Sequence, residues 1–343
     1  MSFRDFFKGK TVLVTGHTGF KGSWLSIWLN ELGAKVIGYS LEPPYPNSLF
    51  EQTKLKDKII DIRADVRDFK KLKSIFEKYE PEIVFHLAAQ AIVRLSYDIP
   101  IETFETNIIG TANILECLRK YPVKSAVIIT SDKCYKNIEQ EKGYIESDAF
   151  SDHDPYSCSK GCAEMITQSY RNSFNIKVAT TRAGNVVGGG DWAVDRLIPD
   201  VMRALKLNKS IIIRNPNSVR PWQFILEPLS GYLLLAQKQY DGEYLSEGWN
   251  FGPERVSIIP VKRIAEMIIN GWGYGNIVVQ EDNNKHEAGL LYLDINKAKK
   301  RLGWKPKFDI KKTIQYTVEW YKNYEKEDAY DLCVKQIKRY EAQ

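Results

Sequence analysis

Two short stretches carry side chains that could move protons. In the first, Thr130-Ser131-Asp132-Lys133-Cys134-Tyr135 follows the apolar run Ala126-Val127-Ile128-Ile129. Such a run reads as a buried parallel strand, and the polar residues after it emerge at the strand's carboxyl end, where open α/β sheets bind ligands. A hydroxyl, a carboxylate and an ammonium side by side suit proton transfer, although polar strand ends are also ordinary loop composition. In the second, Asp154-Pro155-Tyr156-Ser157-Cys158-Ser159-Lys160 opens a helix expected to reach about Phe174, with Asp154 as its cap and Pro155 in its first turn. Tyr156 and Lys160 then project from one helix face. An ammonium beside a phenol stabilises phenolate, bringing a group of reference pKa about 10 toward neutrality as a usable base. On an arbitrary helix this pair would be surface decoration; after five strands of dinucleotide-fold pattern it reads as chemistry.

The elements that must position these residues begin at the strand Thr11–Thr15. Gly16-His17-Thr18-Gly19-Phe20-Lys21-Gly22 follows it and leads into the apolar-periodic Trp24, Leu25, Ile27, Trp28, Leu29 and Leu32. Strand, glycine-rich turn and helix in this order let a pyrophosphate approach bare amides at the positive end of the helix dipole. A second strand, residues 35–40, completes the βαβ unit. A dinucleotide fold usually ends that strand with an acid for the ribose hydroxyls; this chain offers Ser40, with Glu42 two residues on. No Arg or Lys between Lys35 and Lys54 could take a 2′-phosphate, so the residues lean to NAD over NADP by default.

Further strands are expected at 59–63 and 83–86, with a helix over 68–79 between them. Asp65 lies just past a strand end, as an acceptor for adenine or as a cap for the segment that follows. Residues 86–90, His-Leu-Ala-Ala-Gln, make a strand end of small residues around Ala88 with room for a flat cofactor, and His86 reads as a satisfied structural histidine. A long helix over 100–120 leads to the strand ending at Ser131, and a sixth strand covers 177–182. Beyond it Gly188-Gly189-Gly190-Asp191 breaks the alternation and opens a smaller lobe. A helix over 223–237 and a strand at 249–252 are expected to return to the first lobe, and helices around 260–270 and 295–302 to complete the second.

A chain of 343 residues supports one large domain or two lobes, and 43% hydrophobic with 27% charged residues is ordinary for a soluble globular protein. The net charge of +6 is spread along the chain, which suits an anionic small molecule better than nucleic acid. Five scattered cysteines form neither a disulfide framework nor paired metal-ligand spacing, so a reducing cytoplasm and no metal are expected. Residues 1–10 hold no apolar stretch of signal length, and no run reaches the roughly 18 apolar residues of a membrane span, so no membrane partner is expected.

Four stretches carry a narrower likeness: Thr15-Gly16-His17-Thr18-Gly19-Phe20-Lys21-Gly22-Ser23-Trp24-Leu25, Ser131-Asp132-Lys133-Cys134-Tyr135, the run from Arg182 to Trp192, and Val219-Arg220-Pro221-Trp222-Gln223. With the Tyr156/Lys160 pair, they make the chain resemble the extended short-chain dehydrogenase/reductase superfamily along nearly its whole length, and within it the CDP-glucose 4,6-dehydratases.

The resemblance implies an α/β fold: a doubly wound parallel-sheet Rossmann domain that binds NAD (1–183 and 223–255), with a smaller α/β lobe for the sugar nucleotide (184–222 and 256–343). It implies dehydration of CDP-glucose to the 4-keto-6-deoxy sugar by oxidation at C4, loss of water across C5 and C6, and return of hydride to C6. Tyr156 would take the C4 hydroxyl proton, with Lys160 and Ser131 assisting. Asp132 would protonate the departing C6 hydroxyl, and Lys133 would stand where the base stands, which requires a neutral amine. Related dTDP-glucose dehydratases place an Asp-Glu pair there, so Lys133 departs from their pattern, and a salt bridge of Lys133 to Asp132 or to the cofactor phosphates is the alternative.

By the same transfer Gly16, Thr18, Gly19, Phe20 and Gly22 line the pyrophosphate, Ser40 the ribose, Asp65 and Val66 the adenine, and Ala88 and Asn107 the region toward the nicotinamide. Asn185 and Arg220 contact the diphosphate, and Leu197 and Ile198 wall the base. Ser40 in place of an acid predicts weak, exchangeable NAD+ binding. The helices over 100–120 and 156–174 suit a homodimer, or a homotetramer. A 4-epimerase, a 4-reductase, a dehydratase of a differently linked nucleotide sugar and a cofactor-binding regulator without catalysis stay open as alternatives.

Overall fold

The computed structural model describes residues 3–151, 153–280 and 290–343. Seven strands build one sheet: β1 (Thr11–Thr15), β2 (Lys35–Ser40), β3 (Ile60–Arg63), β4 (Ile83–His86), β5 (Ser125–Ile129), β6 (Val178–Arg182) and β7 (Gly248–Asn250). Their order is β3-β2-β1-β4-β5-β6-β7, and every pairing is parallel. The chain reverses its direction of winding between β1 and β4, the crevice where such sheets hold ligands.

Alternation along the strands divides the core between the two faces. In β1, Val12 and Val14 join one cluster and Leu13 the other; in β5, Val127 and Ile129 oppose Ala126 and Ile128 in the same way. Helix α1 (Phe20–Glu31) covers the first face and buries Trp24, Leu25, Ile27, Trp28 and Leu29, so it is apolar nearly all round. Helices α2 (Phe69–Tyr79) and α3 (Gly110–Lys120) cover the second. Asp68 caps α2 through the Lys71 amide. Helix α4 (Pro155–Phe174) starts where Asp154 accepts the Ser157 amide, as its sequence anticipates.

Past β6 come α5 (Leu197–Lys206), α6 (Leu226–Tyr240), three two-stranded pairings and the helices Ile310–Asn323 and Ala329–Glu341. Trp222, Trp304 and Trp320 from this part share one continuous core with Trp24, Trp28 and Trp249.

Three elements differ from expectation. The helix expected from Gln223 begins only at Leu226, because Gln223–Phe224 is a short strand parallel to Val186–Val187 and the buried Gln223 amide donates to the Gly184 and Phe251 carbonyls. The helix over 100–120 contains a wide π-type turn at Glu105–Ile109, a distortion that recurs at functional sites. A similar turn, Ala298–Leu302, takes up most of the helix expected at 295–302.

Candidate active site

The glycine turn is forced by close contacts. Gly16 adopts φ +75°, and a Cβ there would lie 2.7 Å from the Ala88 amide nitrogen; a Cβ on Gly22 would lie 2.1 Å from the Gly16 carbonyl oxygen. Gly19 stands at the start of α1 with no side chain capping the helix, so its first amides are available to an anion. Close backbone packing, an uncapped helix start and the half-buried Ala88 together fit a dinucleotide pyrophosphate; Phe20 opens the same helix.

At the far end of this turn the Thr18 and Ser40 hydroxyls lie 2.9 Å apart, and Thr18 donates to the Leu41 carbonyl at 3.1 Å. The His17 ring occupies the space a side chain at Gly38 would fill, and its Nε2 meets Asp61 at 2.7 Å. Burial lowers the His17 pKa despite that carboxylate. This ring-over-glycine contact was not anticipated, since nothing in the spacing of His17 and Asp61 announces it.

Asp65 needs a correction. Both its carboxylate oxygens are held by Arg67, which also keeps its pKa below the usual range, and Asp68 is the residue that caps the following helix. Val66 beside it is buried, and its methyl lies where a side chain on Gly110 would stand.

The strand-end triplet is an N-capped 3-10 turn. Ser131 precedes Asp132–Cys134, accepts the Lys133 amide and donates its hydroxyl to Asp132 Oδ1 at 3.0 Å. Asp132 is 1% exposed; Lys133, about a third exposed, holds its ammonium 3.8 Å from Oδ1. The salt bridge weighed as the alternative for Lys133 is thus present. The second oxygen, Asp132 Oδ2, is buried without a hydrogen-bond partner and sits where a Cβ on Gly184 would stand, 1.8 Å away. Gly184 is a requirement of the site that its sequence motif did not single out.

Tyr156 and Lys160 are both buried. Burial pushes the Tyr156 phenol up to about 12, against a hydrogen bond with Ser131 that favours phenolate. Lys160, with Nζ 6.0 Å from the tyrosine ring centroid and 3.4 Å from the Ile129 carbonyl, is not what tunes it. That corrects the expectation of a lysine-lowered phenol: in the protein alone burial outweighs the neighbouring charges. The Lys160 ammonium is itself pulled down to about 8 by burial, against the charges of Cys134 and Glu164.

Asn107, in the π-type turn, donates to the Gln90 carbonyl and to the Ser159 hydroxyl, tying that turn to the helix of Lys160. His86 bonds Thr15 and Thr111 and is held near pKa 3 by burial, the structural histidine expected.

From the other side, Asn185 adopts φ +42° and buries an unpartnered Oδ1. Leu197 is partly buried, whereas Ile198 is 3% exposed and packs into the core, so of this pair Leu197 is better placed to meet a ligand. Arg220 is half-buried on the strand Val219–Pro221 and donates to the Val219 carbonyl. Arg196 was missed: it pairs with Asp191 at 3.1 Å, and its charge reaches the Tyr156 phenol. Its place directly before Leu197 was the available signal. Among the described residues no group of His, Cys, Asp and Glu is arranged to hold a metal ion.

Residues 13–317 match the family described as GDP-mannose 4,6 dehydratase. The chain belongs to this family. It is 47% identical to a CDP-glucose 4,6-dehydratase of Salmonella typhimurium over 97% of this chain and 96% of that one. It is 26% identical to a dTDP-glucose 4,6-dehydratase of Haemophilus influenzae, over 90% and 97% of the two chains. The fold is shared with a dTDP-glucose 4,6-dehydratase of Bacillus anthracis solved in complex with NAD (TM-score 0.81, 23% identity, 94% and 100% covered). It is also shared with a UDP-glucose 4-epimerase of Thermotoga maritima solved with UDP-glucose (TM-score 0.80, 25% identity, 91% and 98% covered). Members of one fold thus include both dehydratases and epimerases.

Proposed function

We propose that this chain dehydrates CDP-glucose to CDP-4-keto-6-deoxyglucose, using NAD that is regenerated in each turnover. The observation that carries the reading is the buried Asp132 carboxylate, held by Ser131 on one oxygen and unpartnered on the other, at the strand end that Tyr156 faces. Epimerisation and simple reduction at C4 need Tyr156, Lys160 and Ser131 but no acid for a leaving hydroxyl; the likeness to the Salmonella dehydratase points the same way.

NAD, which the glycine turn at Gly16, Gly19 and Gly22 and the Lys160 ammonium would hold, would supply the reversible hydride acceptor that oxidation at C4 and reduction at C6 require. Tyr156 takes the C4 hydroxyl proton, which Ser131 orients, and Lys160 would hold the cofactor ribose. The 4-ketone acidifies the C5 proton, which Lys133 removes as a neutral amine while Asp132, protonated, delivers its proton to the departing C6 hydroxyl. Lys133 and Asp132 stand 3.8 Å apart, close enough to act on neighbouring carbons, and Lys133 returns its proton to C5 as hydride reaches C6. The elimination step turns a neutral pair into an ion pair with no change in its net charge, and the partly exposed Lys133 leaves the new ammonium in reach of solvent. Asn185 and Arg220 hold the diphosphate, the arginine by bidentate bonds, and Leu197 lines the base.

The exposed Ile101, Ile109 and Met165 on two neighbouring helices favour a homodimer, or dimers paired as a homotetramer. Ile101→Glu with Met165→Glu is expected to yield monomers in sedimentation velocity. No helix among the described residues is long and apolar enough to cross a membrane, and five free thiols fit a reducing cytoplasm.

Weighing the product of CDP-glucose incubated with protein and NAD+ tests the function: loss of one water is expected, and unchanged mass would replace this reading with epimerisation. UDP-, dTDP- and GDP-linked glucose in the same assay test the nucleotide.

A further inference from the structure

We propose that the adenosine end of the cofactor site accepts a 2′-phosphate, so that the chain takes NADP as well as NAD; this rests on the dinucleotide reading above. An acid at the end of β2 would hold a free ribose hydroxyl and repel a phosphate, and an arginine nearby would do the reverse. Ser40 removes the repulsion. The arginine comes from the neighbouring strand: β2 and β3 run in a register that sets Ser40 opposite Arg63, a relation invisible between Lys35 and Lys54 in the chain.

The side chains converge on one carbonyl. Arg63 Nη1 donates to Leu41 O at 3.1 Å, Thr18 Oγ1 donates to the same oxygen at 3.1 Å, and Ser40 Oγ lies 2.9 Å from Thr18 Oγ1. Two hydroxyls and a guanidinium therefore meet beside the glycine turn. The guanidinium lies over the Phe50 ring at 4.5 Å, which fixes its plane, and its side chain stays 24% exposed.

Two carboxylates compete for Arg63. Asp61 binds Nη2 through Oδ2 at 3.0 Å while its Oδ1 meets His17 Nε2 at 2.7 Å, which occupies one of the guanidinium's five donors. Glu42 stands 3.9 Å from Nε, too far for a hydrogen bond, on a side chain 77% exposed that a phosphate displaces into solvent. A guanidinium with donors left over, held flat and flanked by two hydroxyls, is a phosphate site.

Calorimetric titration of the full chain with 5′-ADP and with 2′,5′-ADP isolates this subsite from the nicotinamide. In the parent, 2′,5′-ADP is expected to bind at least as tightly as 5′-ADP. Arg63→Gln should weaken 2′,5′-ADP by about tenfold or more, the worth of a charge-assisted contact, and 5′-ADP by less than about threefold. Ser40→Asp, which leaves Arg63 in place, should reverse the parent's preference. A parent that binds 5′-ADP but rejects 2′,5′-ADP overturns the proposal, as does an Arg63→Gln chain that weakens both equally. Binding of neither nucleotide would remove the dinucleotide reading together with it.

Discussion

Glu164 and Asp132 are both shielded from solvent, 3% and 1% exposed, yet the fold surrounds them in opposite ways. Glu164 stands on α4 one turn past Lys160, and each of its oxygens has two donors. Thr130 Oγ1 and Arg182 Nε meet Oε1; Thr180 Oγ1 and Arg182 Nη2 meet Oε2. Burial alone would raise its pKa, and Arg182 with the two hydroxyls holds it below the usual range. Arg182 continues to the Tyr135 hydroxyl, which donates to Asn250. This network fastens both ends of the stretch 130–135 to the helix of Tyr156 and Lys160. Asp132, inside that stretch, has one oxygen bonded and one bare. A carboxylate with every lone pair answered holds elements together; one left short of partners is available to a substrate.

The largest effect on chemistry is expected from Asp132→Asn. Loss of a positioned acid should lower dehydration by about 10²–10⁴-fold, with thermal stability unchanged or raised because a buried, half-partnered charge is gone. A marked fall in melting temperature would make Asp132 a structural carboxylate like Glu164. The counterpart is Glu164→Gln, where urea denaturation should show a loss of about 3–5 kcal/mol, because Arg182 is left buried without its charge partner. Unchanged stability there would erase the contrast from the other side.

Gly184→Ala sharpens it. The added methyl would overlap Asp132 Oδ2, so dehydration should drop by about 10²-fold through misplacement of the acid. The stability cost should stay near the 1–3 kcal/mol of local overpacking, roughly as for other crowded sites. Normal turnover with crowded Asp132 would show that its position does not matter.

A smaller effect is expected at Lys160. Its folded pKa of about 8 lies below the ordinary lysine value of 10.5, so the folded state releases its proton first as pH rises. The burial cost of the ammonium is full below pH 8 and vanishes above 10.5. Lys160→Met should therefore melt higher than the parent at pH 7, with the gain shrinking toward pH 10; a gain independent of pH would contradict this sign.

Much of this architecture was legible from local chemistry. The glycine turn, the cap Asp154 and the short apolar strands depend on neighbours in sequence, and those elements stand where expected. What could not be read depends on which strands lie side by side. His17 over Gly38, Arg63 opposite Ser40, and Gly184 against Asp132 join residues from different elements. The expected helix at Gln223 failed for the same reason: two distant carbonyls claim that amide. The Tyr156 pKa was misjudged because helix spacing reveals a neighbouring lysine but not the depth of burial.

The most direct test of the division of labour is a single turnover of the Asp132→Asn protein with CDP-glucose and NAD+, following reduced nicotinamide by absorbance and the product by mass. Oxidation at C4 without loss of water is the predicted result. Normal release of the dehydrated sugar would contradict the role of Asp132, and absence of any C4 oxidation would contradict its separation from Ser131 and Tyr156.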